Sequence, residues 1–345
     1  MIRLLIDSAI PFIEGVFEPF ADVKYMAGAE ICHGNACDRD AIIIRSRTTC
    51  NAELLEGSAV KIIATTAIGT DHIDMGYCAA NDIRVRNSSG SNAGGVMNYV
   101  FSALYGVAAR QSLKLGGATI GIVGVGNVGG KVDSVASNLG FKVLRCDPPR
   151  AATEGPEGFC SLDELLEKSD IITLHVPLNS STKGMADESF FTKMRPGAIF
   201  INAARGGIVD ERALKAFIPK LGPVIIDTWQ NEPDIDKELL EMVDIATPHI
   251  AAYSYQGKLN GTMAVVRAVA EFFGISELYD FHPKAEVREL ESVKLDLRGK
   301  SQGEIASIFQ YNYPIFTDDF MLRMDPDSFA RMRRDYQYRR EFYIE

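Results

Sequence analysis

"ATIGIVGVGNVGGKVDSVASNLGFKVLRCDPPR", residues 118–150, decides the fold. A short apolar run rich in β-branched residues ends at Gly124, a glycine-punctuated turn follows, and a helical pattern comes next. Gly124, Gly126 and Gly129 stand in G-x-G-x-x-G spacing, with Asn127 and Val128 between the last two. The first glycine permits a tight turn, the second lets backbone approach a pyrophosphate, and the third lets the helix sit against the strand. The N-terminus of that helix offers N–H groups and the positive end of its dipole to phosphates. A second strand, "KVLRC", ends at Asp147, 18 residues beyond Gly129. An acid there suits ribose hydroxyls and repels a 2′-phosphate, so the stretch points to NAD rather than NADP. Arg145 and Arg150 stand against that preference, because either is a candidate to receive the phosphate.

The same alternation extends in both directions. "IRLLI", "AIIIR", "KIIATT", "IITLH", "AIFIN", "VIID" and "DIATP" read as further strands, separated by amphipathic or capped segments. Ser161 and Glu164, in "SLDE", fit a capping box. Such a rhythm predicts parallel sheets covered by helices on both faces. Two long helical patterns, from about Ala93 and from about Gln256 to Gly274, bracket a βαβ block. The expectation is therefore two Rossmann-like lobes, one inserted in the other: an outer lobe of 1–92 and 255–276, and an inner one of 93–254. From 277 the style changes. "VKLDLRG" predicts a strand, "SQGEIASIFQ" a helix, and "PDSFARMRRDYQYRREF" a helix crowded with Arg331, Arg333, Arg334, Arg339 and Arg340. With acids interleaved, that run reads as a solvated face.

Composition bounds the partners. The chain has 345 residues, enough for two or three domains, and its 46% apolar and 24% charged content is that of a globular protein. A formal charge of −10 gives no general attraction to nucleic acid or to an anionic membrane. No run is long and apolar enough to span a bilayer, and "MIRLLIDSAI" reads as a first strand rather than a secretory leader. Cys32, His33 and Cys37 lie close together, but no second ligand pair follows at zinc spacing. The six cysteines thus read as thiols of a reducing cytoplasm, and no metal is expected.

Three stretches place ionic groups at strand ends: Arg205 in "INAARGGIVD", Asp227 and Glu232 in "VIIDTWQNEP", and His249 in "DIATPHIAAY". Ligands of open α/β sheets gather outside the carboxyl ends of the strands, where the glycine loop also lies. The set suits oxidation of a 2-hydroxy acid. Neutral His249 accepts the hydroxyl proton, Glu232 fixes its tautomer, and Arg205 holds the substrate carboxylate in a planar fork. Asp227 is expected nearer the cofactor.

These segments resemble the D-isomer-specific 2-hydroxyacid dehydrogenases: "GIVGVGNVG", "NAARGGIVD", "IIDTWQNEP" and "TPHIA" match that family's cofactor, arginine, glutamate and histidine motifs. The resemblance implies Arg205, Glu232 and His249 as the catalytic set. "IIIRSRT", "CDPPR", "TPHIAAYSYQGK" and "MRRDYQYRREF" bring the chain closest to a branch acting on 4-phosphoerythronate in pyridoxal phosphate synthesis. That branch implies a small α+β C-terminal dimerisation domain, here 277–345, and hence a homodimer. It also implies substrate contacts from Arg45, Ser46, Ala67 and Tyr253, and backbone contacts to the cofactor from Val176, Ala203 and Ala252. A phosphorylated substrate gives Arg45, with Arg47 beside it, a phosphate to bind, and a tail arginine such as Arg339 or Arg340 is expected in the partner's phosphate pocket. The sequence departs from the pattern at Ala67, where a hydroxyl is usual, with Thr65 or Thr66 as its substitute. It departs again at Ser89–Asn92, in place of Pro-Gly-Cys-Asn, and at Ala252, in place of glycine. The other readings are a dehydrogenase of 3-phosphoglycerate or glyoxylate, and an NAD-sensing binding protein of the co-repressor kind.

Overall fold

The computed structural model describes residues 1–283 and 292–344. It divides into two units, Met1–Asn92 with the segment from Tyr255, and Ala93–Ser254 with the segment from Ser292. The chain crosses between them at the starts of the two long helices, Ala93–Arg110 and Tyr255–Phe273.

The first unit carries five parallel strands in the order β2-β1-β3-β4-β5: β1 Ile2–Asp7, β2 Ala21–Met26, β3 Ala41–Ile44, β4 Ile62–Thr65 and β5 Arg84–Asn87. The central strands are continuous β-branched runs because both of their faces are buried; Ile42, Ile43 and Ile44 are fully covered. Strands β2 and β5 went unread in the sequence. Both lie at the edges of the sheet, where "ADVKYM" and "RVRN" keep polar, part-exposed faces. Val265, Val266, Val269 and Ala270 of the 255–273 helix close one face of this sheet.

The second unit holds six parallel strands in the order β11-β10-β9-β8-β6-β7: β6 Thr119–Val123, β7 Lys142–Cys146, β8 Ile171–Leu174, β9 Ile199–Asn202, β10 Val224–Ile226 and β11 Ile245–Ala246. The order reverses between β6 and β8, which makes a crevice at their carboxyl ends. Register aligns those ends: Val123 pairs with Cys146 and Leu174, Asn202 with Leu174 and Ile226, and Ile226 with Ala246. The next residues, Asp147, Gly124, His175, Ala203, Asp227 and Thr247, therefore form one level row. Ser161 caps helix Leu162–Lys168 by accepting from the Glu164 N–H, but the Glu164 carboxylate turns to Lys168 instead of closing the capping box.

The described tail does not stand apart as a third body. Helix Gln302–Asn312 lays Phe309 against Tyr105 and Phe342, and Ile305, Phe309, Ile315 and Phe342 join the core built by the 93–110 helix. Strand β12 Val293–Leu295 pairs with β13 Phe342–Ile344, and Asn98 holds Phe342 through both its N–H and its carbonyl. Helix Ile315–Met324, unread in the sequence, seals the edge of the large sheet, where Asp319 accepts from the Ala246 N–H. The helix expected through 326–342 stops at Arg334. The start of the expected third domain includes 284–291, which lie outside the described residues. Among the described residues, no helix is long and apolar enough to cross a membrane.

Candidate active site

The three glycines of the loop differ in what surrounds them. Gly124 has φ +86°, and a Cβ there would meet His175 backbone and Val176 at under 3 Å. A Cβ on Gly129 would lie 2.0 Å from the Gly124 carbonyl oxygen, so helix Asn127–Asn138 rests directly on the loop. A Cβ on Gly126 would meet nothing, and Gly126 and Asn127 are exposed at the crevice. That open backbone at a helix start fits a pyrophosphate. Val128 and Val176 flank it, each half-buried.

Asp147 braces this loop. One carboxylate oxygen accepts from the Val125 N–H (2.8 Å), and the other caps helix Pro148–Glu154 through the Arg150 N–H (3.1 Å). The two arginines that argued for NADP are engaged by carboxylates. Arg145 makes two 2.7 Å bonds to Asp133, and Arg150 two 2.6 Å bonds to Glu154.

Farther along the row, β9 delivers Ala203 and Arg205. Gly206 must be glycine, since a Cβ would sit 1.8 Å from the Trp229 carbonyl oxygen. The Arg205 turn is thus pressed against the segment after β10. Arg205 donates from Nη1 to the Ala204 carbonyl (2.8 Å) and is half-buried.

His249 and Glu232 meet. The imidazole Nδ1 lies 2.7 Å from Oε2 and 3.0 Å from Oε1 of Glu232. Burial pushes the Glu232 carboxyl up, but the His249 charge and hydrogen bond, the Trp229 N–H and Arg333 outweigh it and hold the group below its ordinary value. An ionised Glu232 accepts a hydrogen bond from the His249 Nδ1–H, which leaves Nε2 as the acceptor. The other histidines contact other groups: His33 the Leu54 carbonyl, His72 Thr65, His175 Thr173, and His282 Arg267. Burial pushes His175 down to about 3, so its ring is uncharged near neutrality.

Asp227, the residue after β10, turns its carboxylate into the backbone. It is buried, and its oxygens accept from Thr247 Oγ1 (2.7 Å), the Ile250 N–H (2.8 Å) and the Ala251 N–H (3.0 Å). Its carboxylate shapes the turn that presents His249. Thr247 gives its one proton to Asp227, so Tyr99 of the 93–110 helix donates to Thr247 (2.8 Å). Trp229, buried, donates from Nε1 to the Thr247 carbonyl (3.0 Å) and steadies the same turn. Ala252 and Tyr253 follow it, both half-buried.

In the first unit, Arg45 and Ser46 follow β3, and Ala67 follows β4. Arg45 is held by the buried carboxylate of Asp7, through Nε at 2.8 Å and Nη2 at 3.3 Å. Gly28 leaves the room for that carboxylate, since a Cβ would lie 2.5 Å from Asp7 Oδ2. Thr65 is no substitute for the hydroxyl missing at Ala67: it is buried, accepting from the Ala67 N–H (3.1 Å) and contacting His72.

In the tail, Arg339 bonds Asp318 (2.8 Å) and the Tyr336 hydroxyl (2.6 Å) and lies over the Tyr313 ring. Arg333, read as part of a solvated run, turns inward instead. Its Nη1 lies 3.5 Å from Glu232 Oε2, and its guanidinium lies 5.9 Å from the centre of the Tyr253 ring. Nothing local in "RMRRDYQYRR" separates these inward arginines from Arg331 and Arg334, which pair with Asp325 and Asp335 at the surface.

Comparison with known proteins supplies the family. Residues 102–251 match the model of the D-isomer specific 2-hydroxyacid dehydrogenase, NAD binding domain. The chain is 41% identical over 346 residues to an erythronate-4-phosphate dehydrogenase of Bacteroides fragilis, covering 98% of this chain and 97% of that one. It is 38% identical to the enzyme of the same name from Klebsiella pneumoniae, covering 99% and 92%. Among solved structures it is similar to the NAD+-bound 3-phosphoglycerate dehydrogenase of Entamoeba histolytica, with a TM-score of 0.69 and 26% identity over 82% of this chain and 99% of that one. The Aquifex aeolicus D-lactate dehydrogenase, solved with NAD and lactic acid, gives a TM-score of 0.64 at 25% identity over 81% and 98%. The chain therefore belongs to the D-isomer specific 2-hydroxyacid dehydrogenases, NAD-dependent oxidoreductases of the CH–OH group, in the branch of the erythronate-4-phosphate dehydrogenases.

Proposed function

We propose that this chain oxidises 4-phospho-D-erythronate at C2 to 2-oxo-3-hydroxy-4-phosphobutanoate, a step toward pyridoxal 5′-phosphate, in the cytoplasm. The observation that carries the mechanism is the His249–Glu232 pair, set on the same sheet edge as the glycine loop. NAD held at the glycine loop would supply the acceptor for the C2 hydride. His249 Nε2 takes the C2 hydroxyl proton, and the imidazolium so formed is stabilised by Glu232 through Nδ1. Arg205 holds the substrate carboxylate and polarises the new carbonyl. Gly124, Gly126, Asn127, Val128 and Gly129 cradle the pyrophosphate, and Asp147 meets the adenosine ribose while bracing the loop. Val176, Ala203 and Ala252 line the cofactor through backbone, and Asp227 acts on it through the turn that it shapes. Arg45, Ser46, Ala67 and Tyr253 contact the substrate.

The names and near-complete coverage of the relatives support this substrate, and six free cysteines support a reducing compartment. A homodimer through the tail is part of the same reading. Its support is an apolar group left at the surface, Tyr311, Phe320, Met321 and Met324, which are 88%, 59%, 51% and 67% exposed. The test is NADH formation with 4-phosphoerythronate beside 3-phosphoglycerate, and NADH consumption with glyoxylate. Preference for 4-phosphoerythronate is expected. Preference for either other substrate would overturn the assignment, and NAD binding without turnover of any would favour the binding-protein reading.

A further inference from the structure

The tail places a cation against the acid/base pair. Helix Phe329–Arg334 sends Arg331 and Arg334 to solvent and Arg333 inward, where the side chain is 23% exposed. Its Nη1 reaches Glu232 Oε2 at 3.5 Å, the same oxygen that His249 Nδ1 approaches at 2.7 Å. At that distance the guanidinium acts as a charge more than as a hydrogen-bond donor. Its Nε is buried and has no hydrogen-bond partner among the described residues.

We propose that Arg333 is a positioning residue for proton transfer, which holds the Glu232 carboxylate charged and in place behind His249. The proposal rests on the reading of His249 as the base. A buried carboxylate on its own tends to take up a proton, and a protonated Glu232 does not stabilise an imidazolium. Arg333 shares one Glu232 oxygen with the imidazole and helps to keep that carboxylate charged. The other charges facing the pair are unevenly disposed. Glu211 of helix Glu211–Phe217 binds the Gln230 N–H at 2.7 Å and lies within electrostatic reach of Glu232, and Asp227 lies within reach of His249. Arg333 is the cation set against Glu232, and Arg205 follows β9 on the same sheet edge. The Tyr253 phenol ring sits beside Arg333.

The experiment is the pH dependence of kcat/KM for NAD-dependent oxidation by the full chain, as wild type, Arg333→Gln and Arg333→Lys. The acidic limb reports protonation of the base in the free enzyme. Loss of the guanidinium is expected to move that limb up by roughly half to one pH unit, and Lys to restore most of the shift. At the plateau, KM for the substrate is expected to stay within about twofold of wild type. The same melting temperature and NAD dissociation constant in all three proteins would show that the fold and cofactor site are kept. A limb that stays in place while KM rises makes Arg333 a substrate contact and overturns the proposal. Equal loss in Gln and Lys with a lowered melting temperature makes it merely structural and does the same. A wild-type profile without an acidic limb removes the reading of His249 as base, and this proposal with it; a wild-type limb that Arg333→Gln leaves unmoved removes this proposal alone.

Discussion

His249 has φ +55°, in the left-handed region that a non-glycine residue occupies only where its surroundings fix it. Here the surroundings are one carboxylate and one carbonyl. Asp227 accepts from the N–H groups of Ile250 and Ala251, and its own carbonyl accepts from the His249 N–H at 2.8 Å. Replacing Asp227 with alanine strands two buried N–H donors and the Thr247 hydroxyl. The expected loss is about 2–4 kcal/mol of stability in the apo protein, measured by urea unfolding. A residue that served only as a cofactor contact would leave apo stability unchanged. The sequence made the identities of His249, Glu232 and Arg205 legible, because each is a reactive type just after an apolar strand. It hid the work of Asp227 and Arg333, because direction is not written in a residue's type. One carboxylate turned into the backbone, and one arginine out of five turned toward Glu232.

At the scale of elements, the glycine loop makes its own contrast. Gly129→Ala puts a methyl 2.0 Å from a backbone oxygen, so helix 127–138 must move off the loop. This variant is expected to lose both NAD affinity and about 1–3 kcal/mol of stability. Gly126→Ala meets nothing in the protein, so its melting temperature is expected to hold while its NAD dissociation constant rises roughly tenfold or more. Calorimetry and NAD titration separate the two. The loop and the central strands were readable because burial on both faces demands apolar runs. The edge strands β2 and β5 were not, since one open side relaxes that demand and admits Lys24, Arg84 and Arg86. The tail failed for a different reason. Turns at Tyr313–Pro314 and Asp325–Pro326 set off the unread helix Ile315–Met324, the last helix ends at Arg334, and Ile305, Phe309 and Ile315 answer to the 93–110 helix rather than to local periodicity.

For the whole molecule, a net charge of −10 and an apolar group at the tail surface set the terms of self-association. Phe320→Glu with Met324→Glu adds charge to an exposed helix face without touching the core, since Leu322, on the opposite side, remains buried. If the proposed homodimer forms through this face, the pair is expected to leave a folded monomer in sedimentation, with NAD binding retained. An unchanged sedimentation coefficient would place the contact elsewhere. Tyr99 reaches Thr247 from the helix against which Phe309 and Phe342 pack, so the His249 turn and the tail share one core.

The central claim is that His249, backed by Glu232, is the proton acceptor for hydride transfer to NAD. Its most direct test is single-turnover NADH formation from 4-phosphoerythronate by the wild type and by His249→Asn, each saturated with NAD. Asparagine is expected to lower the rate by about 10³-fold or more while leaving the NAD dissociation constant within about threefold of wild type. NADH formation at the wild-type rate in the asparagine variant would contradict the account.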